Sequence, residues 1–580
     1  MKKTVMKRML SYLRPYRGML VSAFAAALVS VPLALLGPVF IGEAIDAAVG
    51  PGDVNFPLVI RSLIWLGLTI LGSAALSWLS QFFTRKISAG AAQDMRSQAF
   101  ESINRAPLSK IDTSRHGDIV SRLVNDADAV SEGFLQTISQ LLPGIVTIVA
   151  TIVVMCLLNI WIALVVIFVT PASIWFARFV GTRTSSYFRQ QSQTQGRLSG
   201  YINEMVGNQP LVQALGFEEK SADEFADLAD DYYEASFKAT FYSSVINPGT
   251  RFVNAVVYAA VAVFGAIYAL SGGISVGGLS VFLSYATQYT RPFNEVTAVL
   301  TQVQSAIASA ERLFELMDWE KEKPDAETAA ELKSVQGHVE AKDVFFSYDP
   351  SRPLIQNLSF EAKPGMRIAL VGPTGCGKTT MINLLMRFYD IDSGKISVDG
   401  ININEIKRNR LRGRFGMVLQ DTWLKGDTVH ANIAYARPGA SRQEVIDAAE
   451  TAHAHSFIMR LPKGYDTVIG AGGESLSEGQ RQLLCIARIV LARPNMLILD
   501  EATSSIDTRT ELIIQRALEN LMRGHTSFIV AHRLSTIQNA DLILVMVAGE
   551  IVERGSHDEL LQKQGFYKKL YESQFAGQQT

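Results

Sequence analysis

Cysteine is scarce. The 580 residues hold three, Cys156, Cys376 and Cys485, far apart and without the close spacing of a metal site. Neither a disulfide framework nor a cysteine-ligated metal is expected, and all three read as buried thiols. A surplus of either charge is also missing: Lys and Arg total 54 against 55 Asp and Glu, a formal net charge of -1. With no basic excess, no nucleic acid partner is expected. Charge is lacking locally as well. Residues 19–41, 63–83, 134–177 and 252–290 contain no Asp, Glu, Lys or Arg, although charged residues make up 19% of the chain. Six buried helices of a large soluble protein do not account for charge-free stretches of that length.

What is present in those stretches is apolar, and a bilayer core needs about 20 helical residues to cross. Residues 19–41 and 63–83 each provide one span. Residues 134–177 are long enough for a hairpin of two, turning near Asn159, and residues 252–290 repeat the pattern with a turn at SGGISVGG. The expectation is six spans, the last continuing past Arg291 as a helix. Residues 19–41 are too long for a signal-peptide core, and no convincing small-residue cleavage site follows them, so a cleaved leader is not expected.

Orientation follows from the basic residues, which favour the cytoplasmic side of short loops. The start, MKKTVMKRMLSYLRPYRG, is strongly basic, whereas GEAIDAAVGPGDVNF after the first span has acidic residues and neither Lys nor Arg. That segment and the two uncharged turns are placed outside. The N-terminus and the charged connections 85–132 and 178–251, which read as helices too polar for lipid, are placed in the cytoplasm.

A chain of this length exceeds what one hydrophobic core supports. Its character changes after Glu315, where LMDWEKEKPDAETAAELKSVQG is polar and broken by Pro324. The expected division is a membrane domain over residues 1–317, a linker over 318–338 and a soluble domain over 339–580. In the last, the runs RIALVG, FGMVLQ, NMLILDE, SFIVAHR and LILVMV are short and β-branched and alternate with helical stretches, as a largely parallel α/β sheet requires.

Within that domain GPTGCGKTT follows the strand RIALV and precedes the helical run MINLLMRF, the context that gives G-x-x-x-x-G-K-[ST] its meaning. Residues Gly372, Pro373, Thr374, Gly375, Cys376 and Gly377 form a loop whose backbone N–H groups can curl around phosphates. Lys378 adds a charge for the β and γ phosphates, and Thr379, followed by Thr380, offers a hydroxyl to Mg²⁺. MLILDE delivers Asp500 and Glu501 at a strand end, where ligands of open α/β sheets gather. Asp500 suits Mg²⁺ held through water, and Glu501 suits an attacking water.

With these motifs in this order, nearly the whole chain closely resembles the ABC transporter superfamily, in the exporter half-transporter form that fuses six spans to one nucleotide-binding domain with a P-loop α/β core and a helical subdomain. The resemblance implies ATP and Mg²⁺ as cofactors. It implies that Tyr348, the aromatic before the first core strand, stacks on adenine. Gln420 of GMVLQDTWL would contact Mg²⁺, the SSID segment ending at Asp507 would contact a second nucleotide-binding domain, and His532 of IVAHRLST would touch the γ phosphate. Residues 111–130 and 203–220 resemble the two cytoplasmic loops that carry short coupling helices. It further implies head-to-tail pairs of such domains, closed by ATP and opened by hydrolysis, giving alternating access to the two sides of the membrane.

One departure stands out in GGESLSEGQRQLLCIAR. The family's signature is usually LSGGQ, and here residues 476–480 read LSEGQ. Ser477, Gly479 and Gln480 remain, but Glu478 brings a carboxylate toward the triphosphate held by the partner and restricts close backbone approach. The site completed by this segment is expected to hydrolyse weakly, whereas Glu501 and His532 are intact. That asymmetry resembles the catalytic-glutamate subunit of heterodimeric bacterial multidrug exporters, so the expected partner is a second half-transporter with a degenerate Walker B. A homodimer that tolerates Glu478 is the alternative.

The cargo is not legible. Met155, Trp161, Phe168, Trp175, Tyr258, Phe282, Tyr285, Gln288 and Tyr289 are available for an apolar, aromatic cavity, which fits amphipathic small molecules, lipids or peptides. A lipid flippase, a peptide exporter and an importer on the same fold stay open. No peptidase domain precedes the first span, which disfavours an exporter that also matures its cargo.

Overall fold

The computed structural model describes residues 2–48, 54–325, 335–419, 422–473, 475–500, 507–530 and 537–575. The contacts divide the chain into two compact units, residues 1–105 with 114–319, and residues 106–113 with 320–580.

The first unit is entirely helical among the described residues. Its long helices are Arg17–Asp46, Phe56–Arg105, Leu142–Leu158, Ile160–Gly207, Glu218–Leu270 and Val276–Met317. By length and composition, Arg14–Asp46, Phe56–Arg105 and His116–Leu158 can each cross a membrane, and Asn254–Leu270 is a shorter apolar helix. The hairpin turn falls at Asn159, whose side chain caps the next helix by accepting from the Trp161 amide at 3.1 Å. The second turn is tighter than SGGISVGG suggests. Ser275 caps a helix that already includes Gly277 and Gly278, and Asp46 accepts from the Gly277 amide at 2.7 Å and the Ser275 hydroxyl at 2.6 Å.

Large apolar side chains on these helices face outward, with Leu157 82% and Leu270 90% exposed, as a lipid-facing surface requires. Small residues fill the interior instead: Ala23, Ala26 and Ala27 are buried, and buried Ser80 donates to the Ala23 carbonyl at 2.9 Å. The aromatic positions offered for a cavity divide. Met155, Phe282, Tyr285 and Tyr289 pack into a buried cluster, with the Tyr285 hydroxyl donating to the Leu35 carbonyl at 2.6 Å. Trp161 and Phe168 face outward. Helix-to-helix packing has claimed the first group, which is a correction to reading all of them as an open lining.

The second unit carries ten strands among the described residues: β1 Val339–Phe346, β2 Ile355–Ala362, β3 Arg367–Val371, β4 Ser393–Val398, β5 Ile401–Asn402, β6 Phe415–Val418, β7 Met496–Asp500, β8 Thr526–Val530, β9 Leu542–Val547 and β10 Glu550–Gly555. One sheet runs β10-β9-β3-β8-β7-β6, parallel except for the β9–β10 hairpin. The expected five β-branched runs are its five parallel strands. A second, antiparallel sheet, β2-β1-β4-β5, was not expected. Helices Val429–Ala434, Arg442–Thr451 and His455–Ile458 lie between β6 and β7 and share a buried apolar cluster with helix Glu478–Ala492, forming the helical part.

Segment 322–325 is not a solvated tether. The buried guanidiniums of Arg387 and Arg408 meet Asp325 at 3.4 and 2.9 Å, and Arg408 and Arg412 meet Glu322 at 3.2 and 2.8 Å. Buried cations need such partners, so the acids fold with this unit. Of the three thiols only Cys376 is fully buried, while Cys156 and Cys485 are half-buried.

Candidate nucleotide site

Strand β3 is the reason the glycine-rich loop sits where it does. Its residues Ile368, Ala369, Leu370 and Val371 are buried between parallel neighbours β8 and β9, so the chain must leave the sheet at Gly372. A Cβ on Gly372 would collide with the Met546 carbonyl oxygen, so only glycine fits there. Gly375 and Gly377 take left-handed φ values of 81° and 103°, and Gly377 is the N-cap of helix Lys378–Leu385. Pro373, Thr374, Gly375 and Thr379 are exposed, while Cys376 and Thr380 are buried beneath them. The loop therefore presents backbone on one side and is anchored by side chains on the other. Across it, the Lys378 ammonium donates to the carbonyls of Gly372 at 2.7 Å and Pro373 at 3.0 Å.

Asp500 ends β7, in register with Val530 of β8, which in turn neighbours β3. The carboxylate and the glycine loop thus leave the same sheet edge two strands apart, about 10 Å by strand spacing. A hydroxyl at Thr379 and a carboxylate at Asp500 are the hard oxygen donors that Mg²⁺ takes, with the rest of its shell left to phosphate and water. Gln420, Glu501, Ser504 and His532 lie outside the described residues. Asp507 is described, and caps helix Thr508–Met522 by accepting from the Thr510 amide at 2.9 Å. That backbone bond, with the Thr510 side chain, holds its carboxyl below the usual aspartate range.

Tyr348 lies just past the end of β1 and is half exposed. Its hydroxyl donates to the Thr380 hydroxyl at 3.3 Å, tying it to the helix after the glycine loop. Tyr389 and Phe346 each stand near-perpendicular to it with ring centroids 4.9 Å away, and they touch each other at 5.7 Å. The sequence did not single out Tyr389; an aromatic just beyond the end of the loop's helix was the available signal.

The segment with the odd carboxylate is a helix start. Ser477 is the N-cap of helix Glu478–Ala492, its hydroxyl accepting from the Gln480 amide at 3.3 Å while the Gln480 side chain accepts from the Ser477 amide at 3.1 Å. Glu478 occupies the first helical position and Gly479 is buried behind it. An acid in the first turn complements the positive end of the helix, so Glu478 has a local stabilising role and adds negative charge beside the end an anion would approach.

The ABC transporter transmembrane region matches residues 20–293, and the ABC transporter domain matches residues 355–504. The chain is 41% identical over 573 residues to an uncharacterised ABC transporter ATP-binding protein, YfiC, of Bacillus subtilis, covering 99% of this chain and 94% of that protein. It is 42% identical over 521 residues to a fatty acid ABC transporter ATP-binding/permease protein of Mycobacterium tuberculosis, covering 90% and 82%. A solved bacterial Atm1-family ABC exporter with ATP bound superposes at a TM-score of 0.77 with 29% identity, over 96% of this chain and 98% of that one. With the glycine loop at the end of β3, the carboxylate at the end of β7 and likeness over almost its full length, the chain belongs to the ABC transporters, as an exporter-type half-transporter whose transmembrane domain is fused to an ATP-hydrolysing nucleotide-binding domain.

Proposed function

We propose that this chain is one subunit of a heterodimeric exporter that moves amphipathic or hydrophobic compounds out of the cytoplasmic leaflet or cytosol across the cytoplasmic membrane. The observation that carries the ATP-driven part is the pairing of the Lys378 loop at the end of β3 with Asp500 at the end of β7 on one sheet edge.

In this proposal residues Gly372 to Thr380 cradle the phosphates, Lys378 exchanges its two carbonyl partners for β and γ phosphate oxygens, and Tyr348 offers its open face to adenine. Thr379, Gln420 and Asp500 would hold Mg²⁺, which neutralises charge on the phosphates. Glu501 polarises the attacking water, and His532 touches the γ phosphate. Because ATP meets these groups and the partner's signature together only when the domains close, it binds the closed state better than the open one, so nucleotide shifts the population toward the outward-facing state and hydrolysis returns it.

Glu478 supports unequal partners. A carboxylate at the helix start where a partner's triphosphate would approach disfavours that anion, while this chain's own loop and Asp500 keep their order. The partner is then a different half-transporter whose signature completes the Glu501 site. The fatty-acid name of one relative and the multidrug-export name of another support a lipid-like or drug-like cargo.

The test is ATPase activity of the purified complex across a panel of amphipathic compounds, fatty acids and peptides, with the co-purifying chains identified. Stimulation by at least one amphipath and recovery of a second, different half-transporter support the proposal. A fully active complex containing this chain alone removes the heterodimer.

A further inference from the structure

The short helix Leu108–Asp112, more than 250 positions before the phosphate loop in sequence, belongs by its contacts to the nucleotide-binding unit. The Tyr389 hydroxyl donates to the Asp112 carboxylate at 2.6 Å across 277 positions of sequence. The ring of the same tyrosine stands perpendicular to Tyr348, at an interplanar angle of 88°. Burial and the neighbouring Asp112 both push the Tyr389 phenol up, so it stays protonated and remains the donor.

From this juxtaposition we infer that Tyr389 is a positioning residue for ATP: it sets the Tyr348 ring against the adenine and takes its own orientation from Asp112, so that base-side affinity for ATP and the docking of helix Leu108–Asp112 form one coupled equilibrium. The inference rests on the reading that Tyr348 stacks on adenine.

The physical chain has three links. Tyr348 is held at its hydroxyl by Thr380 and by Asn383, whose amide donates at 3.4 Å, so its remaining freedom is rotation and tilt of the ring. Edge contacts from Phe346 and Tyr389 restrict that tilt. Phe346 is fixed in β1 and buried, but Tyr389 lies past the end of its helix in segment 386–390 and has a single polar anchor among the described residues, Asp112. Releasing the anchor frees the Tyr389 ring to tilt, which loosens the platform while the Tyr348–Thr380 bond and the Lys378 contacts across the loop keep their places. By linkage, a base that selects the ordered platform must favour the docked helix by the same factor. The device therefore responds to the nucleoside half of ATP, separately from the phosphate half.

The experiment uses the assembled full-length complex. Steady-state ATPase is measured for Tyr389→Phe, Asp112→Asn and the double variant, with inhibition by tripolyphosphate, which lacks a base, as the control. The expected result is a three- to tenfold rise in KM for ATP with kcat within twofold of wild type, no change in tripolyphosphate inhibition, and a double variant no worse than the worse single one. Hydrogen exchange supplies the reciprocal readout: ATP should protect residues 106–113 in the wild type and fail to do so in Tyr389→Phe. An unchanged KM in both single variants, additive losses, or an equal rise in the tripolyphosphate inhibition constant overturns the inference. Tyr348→Ala is run beside them. If it leaves the KM for ATP unchanged, the adenine-stacking reading itself has failed, whereas a raised KM in Tyr348→Ala with none in the other variants removes only the role of Tyr389 and Asp112.

Discussion

The Lys378 ammonium turns back over its own loop and donates to the Gly372 carbonyl at 2.7 Å, six positions earlier in the chain. A cation held by neutral carbonyls is ready to exchange them for phosphate oxygens, because charge-assisted bonds to an anion are roughly twice as strong. Lys378→Ala is expected to weaken ATP binding at this chain's loop by about 1.5–3 kcal/mol, or roughly ten- to a hundredfold. Titration with a fluorescent ATP analogue checks it; an unchanged dissociation constant at that site contradicts the role.

Gly377 combines a φ of 103° with a position where a Cβ would stand 2.7 Å from Ile355 Cδ1. Gly377→Ala therefore pays strain of about 1–3 kcal/mol. At roughly 2–4 °C per kcal/mol for a domain of this size, the melting transition of the nucleotide-binding domain should fall by several degrees, with ATP affinity reduced as well. A melting temperature within one degree of wild type refutes the strain.

Asp325 faces Arg387 and Arg408, both almost fully buried at 8% and 7% side-chain exposure. Removing the carboxylate in Asp325→Ala leaves those cations under-paired, at a cost of about 1–3 kcal/mol. Limited trypsin digestion after Lys321 should become faster and the domain should melt earlier. Wild-type cleavage and melting would show that the ion pairs are incidental.

The reach of sequence reasoning is uneven for physical reasons. The parallel sheet was legible because each strand, such as Arg367–Val371, is buried on both faces and reads as an unbroken apolar run. β1, VEAKDVFF, was missed as a strand because only one face is buried and a register shift after Ala341 breaks its alternation. The phosphate loop was readable because glycine is forced by local geometry at Gly372 and Gly377. The Tyr389–Asp112 contact was not readable, since no local rule links residues 277 positions apart. Glu322 and Asp325 looked like solvated linker charge, and their partners Arg387, Arg408 and Arg412 come from elsewhere in the fold. Glu478 looked purely repulsive, whereas its place in the first helical turn also gives it a stabilising partner in the helix dipole.

Glu478 also separates the two assemblies. In a heterodimer LSEGQ completes only the weak site, and Glu478→Gly should change ATP turnover by less than twofold. In a homodimer the same change removes a carboxylate from both composite sites, and relief of about 1.4 kcal/mol raises turnover about tenfold. ATPase rates are measured beside the mass of the intact complex in detergent. A complex of two identical chains together with a strong gain contradicts unequal partners.

The most direct measurement is ATP-driven movement of an amphipathic dye or labelled fatty acid into inside-out membrane vesicles carrying the assembled complex, wild type against Glu501→Gln. Accumulation that requires ATP hydrolysis in the wild type is predicted, with Glu501→Gln still binding ATP but losing most turnover and all accumulation, because the water-polarising carboxylate is gone while the phosphate cradle remains. Accumulation by Glu501→Gln within a few-fold of wild type, or passive flux in the wild type whenever ATP is bound, would contradict an exporter powered by this site.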